Sequence, residues 1–257
     1  MRAPVTAEIS ALAERLDTAQ ITCADTPSLA DDHEIGLADA YAIQAELVAR
    51  REARGERVLG VKLGLTSEAK MAQMGVSEVI AGRLTDAMLV ADGGEVSLAR
   101  FIHPKVEPEV AYRLARDVDL ADPAFDVESA VDAMAPAIEI IDSRYRDFRF
   151  THTDVVADNT SAAGYSLGPW RPFGEAANRA VRLRSGDREV IGSTAAILGD
   201  PARALHALVE LCRKRDIPLR AGQVVLAGAA TEAVPFAPGV AEVDIAGLGR
   251  VSVRGLA

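Results

Sequence analysis

The sequence is short of cysteine, of aromatic residues and of positive charge. Two cysteines, Cys23 and Cys212, stand far apart in 257 residues. They are too few for a disulfide framework and lack metal-ligand spacing, so a reducing compartment is expected. Aromatic residues make up 4% of the chain, which leaves little material for stacking nucleic-acid bases. A net charge of -10 disfavours partnership with nucleic acid or an anionic membrane. No apolar run approaches the roughly 20 residues needed to span a bilayer. Residues Met1 to Leu16 carry acids and no apolar signal core, so a cytoplasmic location is expected. Phosphate loops of the Gly-x-x-x-x-Gly-Lys-Ser/Thr type, internal repeats and low-complexity linkers are missing too.

What is there suits an enzyme-sized globular chain. Hydrophobic residues make up 49% and charged residues 26%, enough for one large domain or one and a half. Helical periodicity comes early, over 6–17 and from Leu37 to Arg54, with Gly55 as a stop. A short helix from Glu68 to Met74 and another from Asp126 to Met134 are predicted. From residue 83 onward strands dominate, near 83–90, 95–102, 181–184, 188–191 and 224–226, with a closing hairpin around Gly247 to Gly249. Asp200 caps and Pro201 opens one late helix reaching about Arg215. Its buried face holds Leu205, Leu208, Val209 and Cys212. This order predicts an α+β fold with a rolled, mixed or antiparallel sheet. A mainly helical region, 1–80, packs on a β-roll domain, 81–257. The charged and aromatic stretch from Asp142 to Phe150 reads as a solvated strand or an interface.

Chemistry concentrates around His103 to Tyr112. Read as a strand, Val106, Pro108, Val110 and Tyr112 face one way, and Glu107 and Glu109 the other. That pair is either the wet face of a strand or two oxygen ligands converging on a divalent cation. Glu139 interrupts the apolar run from Ala135 to Ile141. An ionised carboxylate there costs several kcal/mol unless it is paired or coordinates a metal. Glu139 therefore needs a cation, a basic partner or a raised pKa. Lys62 sits in an apolar strand with Gly60 and Gly64 on either side, and glycines in strands often mark close approach of a backbone or ligand. The polar run Asp158, Asn159, Thr160, Ser161 is either a self-bonded turn or a set of donors facing a ligand. His103, before a proline, reads as a loop residue or a ligand. His206 reads as structural. The small-residue loop from Gly228 to Thr231 can approach a ligand.

Several segments taken together carry a resemblance. They are Gly60 to Ser67, His103 to Glu109, Pro136 to Arg144, Ala157 to Asn159 with Ser161, Leu198 to Pro201, and Gly247 to Gly249. In combination they resemble the fumarylacetoacetate hydrolase-like superfamily, specifically its branch of 2-oxopent-4-enoate hydratases and 4-oxalocrotonate decarboxylases of aromatic meta-cleavage pathways. The resemblance implies that superfamily's fold and a lyase using Mg²⁺ or Mn²⁺ held by Glu107, Glu109 and Glu139. It implies Lys62 as the active-site lysine and Ser161 in the substrate-facing loop, with Thr66 and Thr231 as further donors to a small 2-oxo acid. The expected reaction is decarboxylation of 2-oxo-3-hexenedioate to 2-hydroxypenta-2,4-dienoate. Segments 69–75 and 142–150 look like the decarboxylases, whereas Ser161 to Tyr165 lacks an arginine and leans towards the hydratases. Hydration of 2-hydroxypenta-2,4-dienoate is the alternative, and a non-catalytic partner subunit a further one, against which the intact Lys62 and glutamate set argues. A homo-oligomer is expected, as is a complex with the companion hydratase or decarboxylase.

Overall fold

The computed structural model describes residues 6–67, 71–72 and 75–257. Two helices, α1 (Thr6–Thr22) and α2 (Leu37–Ala53), precede the strands β1 (Val58–Gly64), β2 (Ile80–Thr85), β3 (Leu89–Val90) and β4 (Glu95–Ser97). Then come β5 (Lys105–Leu114), β6 (Val131–Ile141), α3 (His152–Ala157), β7 (Ala162–Leu167), β8 (Arg171–Pro172), β9 (Ala180–Ser185) and β10 (Arg188–Ser193). The chain closes with α4 (Pro201–Arg215), β11 (Val224–Ala229), β12 (Val234–Pro235), β13 (Gly239–Ile245) and β14 (Gly249–Leu256). The predicted helix from Glu68 to Met74 falls mostly outside the described residues.

Among the described residues the strands form two sheets. The larger runs β2-β1-β11-β5-β6-β7-β3, with β12 on β5 and β8 on β6. It is mixed, since β1 runs parallel to β11 and β3 to β7 while β5, β6 and β7 are antiparallel. The smaller runs β10-β9-β13-β14-β4. β1, within the first 80 residues, is an interior strand of the larger sheet. The α+β architecture is the expected one.

The core follows from alternation along β5 and β6. Val106, Val110, Tyr112 and Leu114 share one buried cluster with Ile138, Ile140, Leu183, Val243, Val253 and the inner face of α4. Burying each such side chain stabilises by about 1.5–3 kcal/mol. The opposite face carries small residues, Ala111, Ala135 and Ala137, beside Tyr165 and Leu226. α1 and α2 pack with α3 in a separate cluster around Leu16, Leu29, Ile43, Leu47, Tyr145 and Val156. α4 begins as expected, with Asp200 accepting from the Ala202 amide at 3.0 Å and Pro201 at its first position. Cys212 is core.

Some expectations need correcting. Asp126 to Met134 is not a helix: a single 3₁₀ turn at Glu128–Ala130 leads directly into β6. Residues 131–135 pair with Ala111 to Leu114, so ladder bonds override the weak helical pattern. The strands expected over 83–90 and 95–102 are each cut short by a 3₁₀ turn, at Asp86–Met88 and Leu98–Arg100. Asp142 to Phe150 forms no solvated strand. Ser143, Arg144 and Tyr145 are buried, and the Tyr145 hydroxyl donates to the Asp154 carbonyl at 3.1 Å.

Candidate active site

The antiparallel register of β5 and β6 places Glu107 directly opposite Glu139 and Glu109 opposite Ala137. Directly opposed side chains have Cβ atoms about 4.5–5.5 Å apart, and like charges there repel. All three carboxylates are buried, and one oxygen from each lies within 4.8 Å of the others. Here the two strand readings of the acids separate, because Glu107 and Glu109 form no wet face.

Lys62 reaches the cluster from β1. Its Nζ lies 3.0 Å from Glu139 Oε2 and donates to the Thr160 carbonyl at 3.1 Å. The lysine is 3% exposed. Glu139 thus has a basic partner, one of the three alternatives the sequence left open. Among the described residues, three carboxylates face one ammonium. Glu109 Oε1 and Glu139 Oε1 are buried with no hydrogen-bond partner. An all-oxygen donor set suits a hard cation such as Mg²⁺, Mn²⁺ or Ca²⁺, and bonds of about 2.0–2.6 Å span the observed separations. The residues fit the group.

Burial pushes the Glu109 carboxyl well above its usual range, and the charge of Glu139 pushes it further. Glu139 is also raised, by burial first, with the Lys62 charge pulling it back. Both shifts are set first by burial, with a neighbouring carboxylate adding to each.

The turn Asn159–Ser161 holds the lysine's acceptor. Asn159, Thr160 and Ser161 all have left-handed backbones, with φ of 49°, 55° and 57°. Such a conformation costs roughly 1–2 kcal/mol per non-glycine residue. A buried network offsets that cost. Arg144 ion-pairs with Asp158 and donates to the carbonyls of Asp142 at 2.8 Å and Ala162 at 3.2 Å. The Asn159 amide accepts from the Arg83 backbone at 2.7 Å and donates back at 2.9 Å. Glycines let the turn lie against the sheet: a Cβ on Gly82 would meet the Asn159 carbonyl at 2.4 Å, and one on Gly64 the Thr160 methyl at 2.7 Å. The close approach expected beside Lys62 is therefore made by the protein itself, the Val224 carbonyl against Gly60 and the Thr160 methyl against Gly64.

Ser161 follows the carbonyl that receives Lys62, and its Oγ is buried without a hydrogen-bond partner. Thr66 is buried against Gly228, where an added Cβ would sit 2.0 Å from Thr66 Oγ1. Gly228, at φ +113°, donates its amide to Glu109 Oε2 at 2.6 Å. The Thr231 hydroxyl donates to the Glu232 carbonyl at 2.8 Å. The His103 ring lies against Phe148, centroids 4.5 Å apart, while its backbone amide donates to Asp142 at 2.8 Å. His206 contacts Glu128 on the surface. Sequence reasoning missed the Arg144–Asp158 pair and the Gly228 amide. The run of alternating charges hid the first, and a backbone donor leaves no side-chain signal for the second.

Comparisons with known proteins agree with this geometry. No family model matches the chain. A 4-oxalocrotonate decarboxylase from a Pseudomonas species is 45% identical over 95% of this chain and 97% of its own length. A 2-keto-4-pentenoate hydratase from Paraburkholderia xenovorans (strain LB400) is 39% identical over 85% of this chain and 83% of its own. The solved structure of 4-oxalocrotonate decarboxylase from Pseudomonas putida G7, complexed with magnesium and adipate, superposes with a TM-score of 0.92 at 37% identity, covering 100% of both chains. The chain belongs to the family of 4-oxalocrotonate decarboxylases and 2-keto-4-pentenoate hydratases.

Proposed function

We propose that this chain is a carboxy-lyase of an aromatic meta-cleavage pathway. It would convert 2-oxo-3-hexenedioate (4-oxalocrotonate) to 2-hydroxypenta-2,4-dienoate and CO₂, with Mg²⁺ or Mn²⁺ held by Glu107, Glu109 and Glu139. The observation that carries this reading is the buried carboxylate triad with Lys62 at 3.0 Å, in a chain 45% identical to a named decarboxylase. A bound divalent cation would supply Lewis-acid polarisation of the 2-oxo acid.

The chain's own residues do the rest. In the reaction the C5–C6 bond breaks and CO₂ leaves. The electron pair moves through the conjugated chain to the C2 oxygen, which is then protonated. Lys62 Nζ, fixed by Glu139 and the Thr160 carbonyl, places positive charge where that negative charge develops. Burial of Lys62 and the triad keeps water from screening it. Ser161 Oγ, unpartnered, is a donor for substrate, and Thr66 stands at the Gly228 amide that orients Glu109. Thr231 is kept as a donor to the far end of the substrate, reached by rotating its hydroxyl away from Glu232.

A second reading is hydration of 2-hydroxypenta-2,4-dienoate. It is favoured by the arginine-free stretch from Ser161 to Tyr165 and by hydratase relatives at 39% identity. Incubating the purified chain with Mg²⁺ and 2-oxo-3-hexenedioate should release CO₂, and chelation should stop it. Consumption of 2-hydroxypenta-2,4-dienoate without CO₂ release from the diacid would make it the hydratase. Turnover of neither would leave the non-catalytic partner. A homo-oligomeric working form, and association with the companion enzyme, belong to the proposal. Sedimentation of the purified chain tests the first. Among the described residues no helix is long and apolar enough to cross a membrane.

Metal binding should be linked to protons. Glu109 and Glu139 are raised in the folded protein, so the metal-free fold loses stability as pH climbs from the ordinary carboxyl range towards the raised values. Cation binding displaces the retained protons and stabilises more as pH rises across that interval. Titrating Mg²⁺ calorimetrically at neutral pH in two buffers of different ionisation enthalpy should show net proton release. Identical heats in both buffers would mean the carboxyls are already ionised.

A further inference from the structure

A second cavity lies on the other side of the larger sheet from the carboxylates. It is about 370 Å³ and is enclosed by α2, β2, the end of α4 and the segment leading to β11. That size is within the range of small-ligand sites. Two guanidinium groups line it, Arg83 and Arg215. Neither has an ion pair or a side-chain hydrogen bond among the described residues.

The bland roles for these arginines are weak here. Cations in the last turn of a helix favour its dipole, and α4 ends in Arg213, Lys214 and Arg215. Arg213 pairs with Glu210 and Lys214 with Glu78. Arg215 instead lies over the Tyr41 ring, 4.9 Å from its centroid, with its Nε buried and unpartnered. Arg83 neighbours Gly82 on β2, so strand alternation sends its side chain away from the Asn159 turn and into the cavity. Burial pulls its guanidinium below the usual range, a cost that a bound anion would relieve. Glu52 and Asp216 also line the cavity, yet neither lies within ion-pair distance of the two arginines.

We propose that this cavity binds a small organic or inorganic oxyanion, a carboxylate or phosphate, clamped between Arg83 and Arg215. Guanidinium forks match such groups with paired, charge-assisted hydrogen bonds, and the Tyr41 ring holds one fork in place. The site is separate from the carboxylate cluster. Through the Asn159 side chain, the Arg83 backbone is one residue from the carbonyl that anchors Lys62.

Calorimetric titration of the metal-free full chain with succinate, and separately with inorganic phosphate, tests this. Saturable binding of either probe is expected, and the probe that binds names the chemistry. Affinity should fall at least tenfold in Arg83→Met and in Arg215→Met, and stay unchanged in Lys62→Met. If Arg83→Met does not fold, Arg215→Met at the helix end carries the test. Failure of both probes to bind overturns the proposal. So does binding that survives the arginine substitutions, or that disappears with Lys62→Met.

Discussion

Lys62→Met should lower kcat by two to three orders of magnitude while KM stays near that of the unaltered protein. The ammonium lies 3.0 Å from Glu139 Oε2 and 3.1 Å from the Thr160 carbonyl, so its position is set before substrate arrives. A preorganised donor of this kind aimed at developing charge is worth about 10²–10³ in kcat, or roughly 2.7–4 kcal/mol. Binding of the substrate's carboxylate end rests on other groups, which is why KM is spared. A second effect separates catalysis from charge balance. Removing one partner of a buried ion pair costs about 3–5 kcal/mol, so the metal-free variant should melt well below the metal-free parent. Saturating Mg²⁺ should restore most of that loss, since the cation neutralises Glu139 in the lysine's place. Steady-state kinetics and melting curves, each with and without Mg²⁺, check both halves. A kcat that also recovers with Mg²⁺ would reduce the lysine to a counter-ion.

Much of the candidate site was legible in the chain because a strand has a period of two. Glu107 and Glu109 fall on one face by counting alone, and Glu139 stands out as a charge inside an apolar run. Register was not legible: nothing local says that Glu139 faces Glu107 and not a neighbour two residues away. The glycines beside Lys62 announced a close approach but not its partners, the Thr160 methyl in the Asn159–Ser161 turn for Gly64 and the Val224 carbonyl on β11 for Gly60. Arg144 was misjudged because Asp142, Arg144, Arg146 and Asp147 alternate like a solvated edge. Only the fold shows that Arg144 is 1% exposed and holds Asp158. The helix expected before β6 failed for a related reason. Val127, Ala130, Val131 and Met134 fit a helical stripe, and long-range pairing with β5 outweighs so weak a preference.

Glu109→Gln should cost at least the roughly 100-fold in Mg²⁺ affinity that marks the upper end of losing a metal site's outer partner, and activity should fall with it. The substitution is close to isosteric. The glutamine carbonyl keeps the bond from the Gly228 amide now made by Oε2 at 2.6 Å. The amide group replaces Oε1, which has no protein partner to lose. What disappears is one of three negative charges around the cation. The sign of the stability change is the sharper test. A residue there for packing alone would destabilise when altered. Glu109 is instead held in a buried cluster that raises its own pKa and repels Glu139. The metal-free variant should therefore melt above the metal-free parent at neutral and alkaline pH. The advantage should shrink as pH falls, because the parent's carboxyls then retain their protons. Added Mg²⁺ should reverse the order, raising the parent's melting temperature far more than the variant's. A variant that melts below the parent without metal, or that responds to Mg²⁺ as strongly, would remove Glu109 from the ligand set and leave its buried charge to be accounted for by another cation.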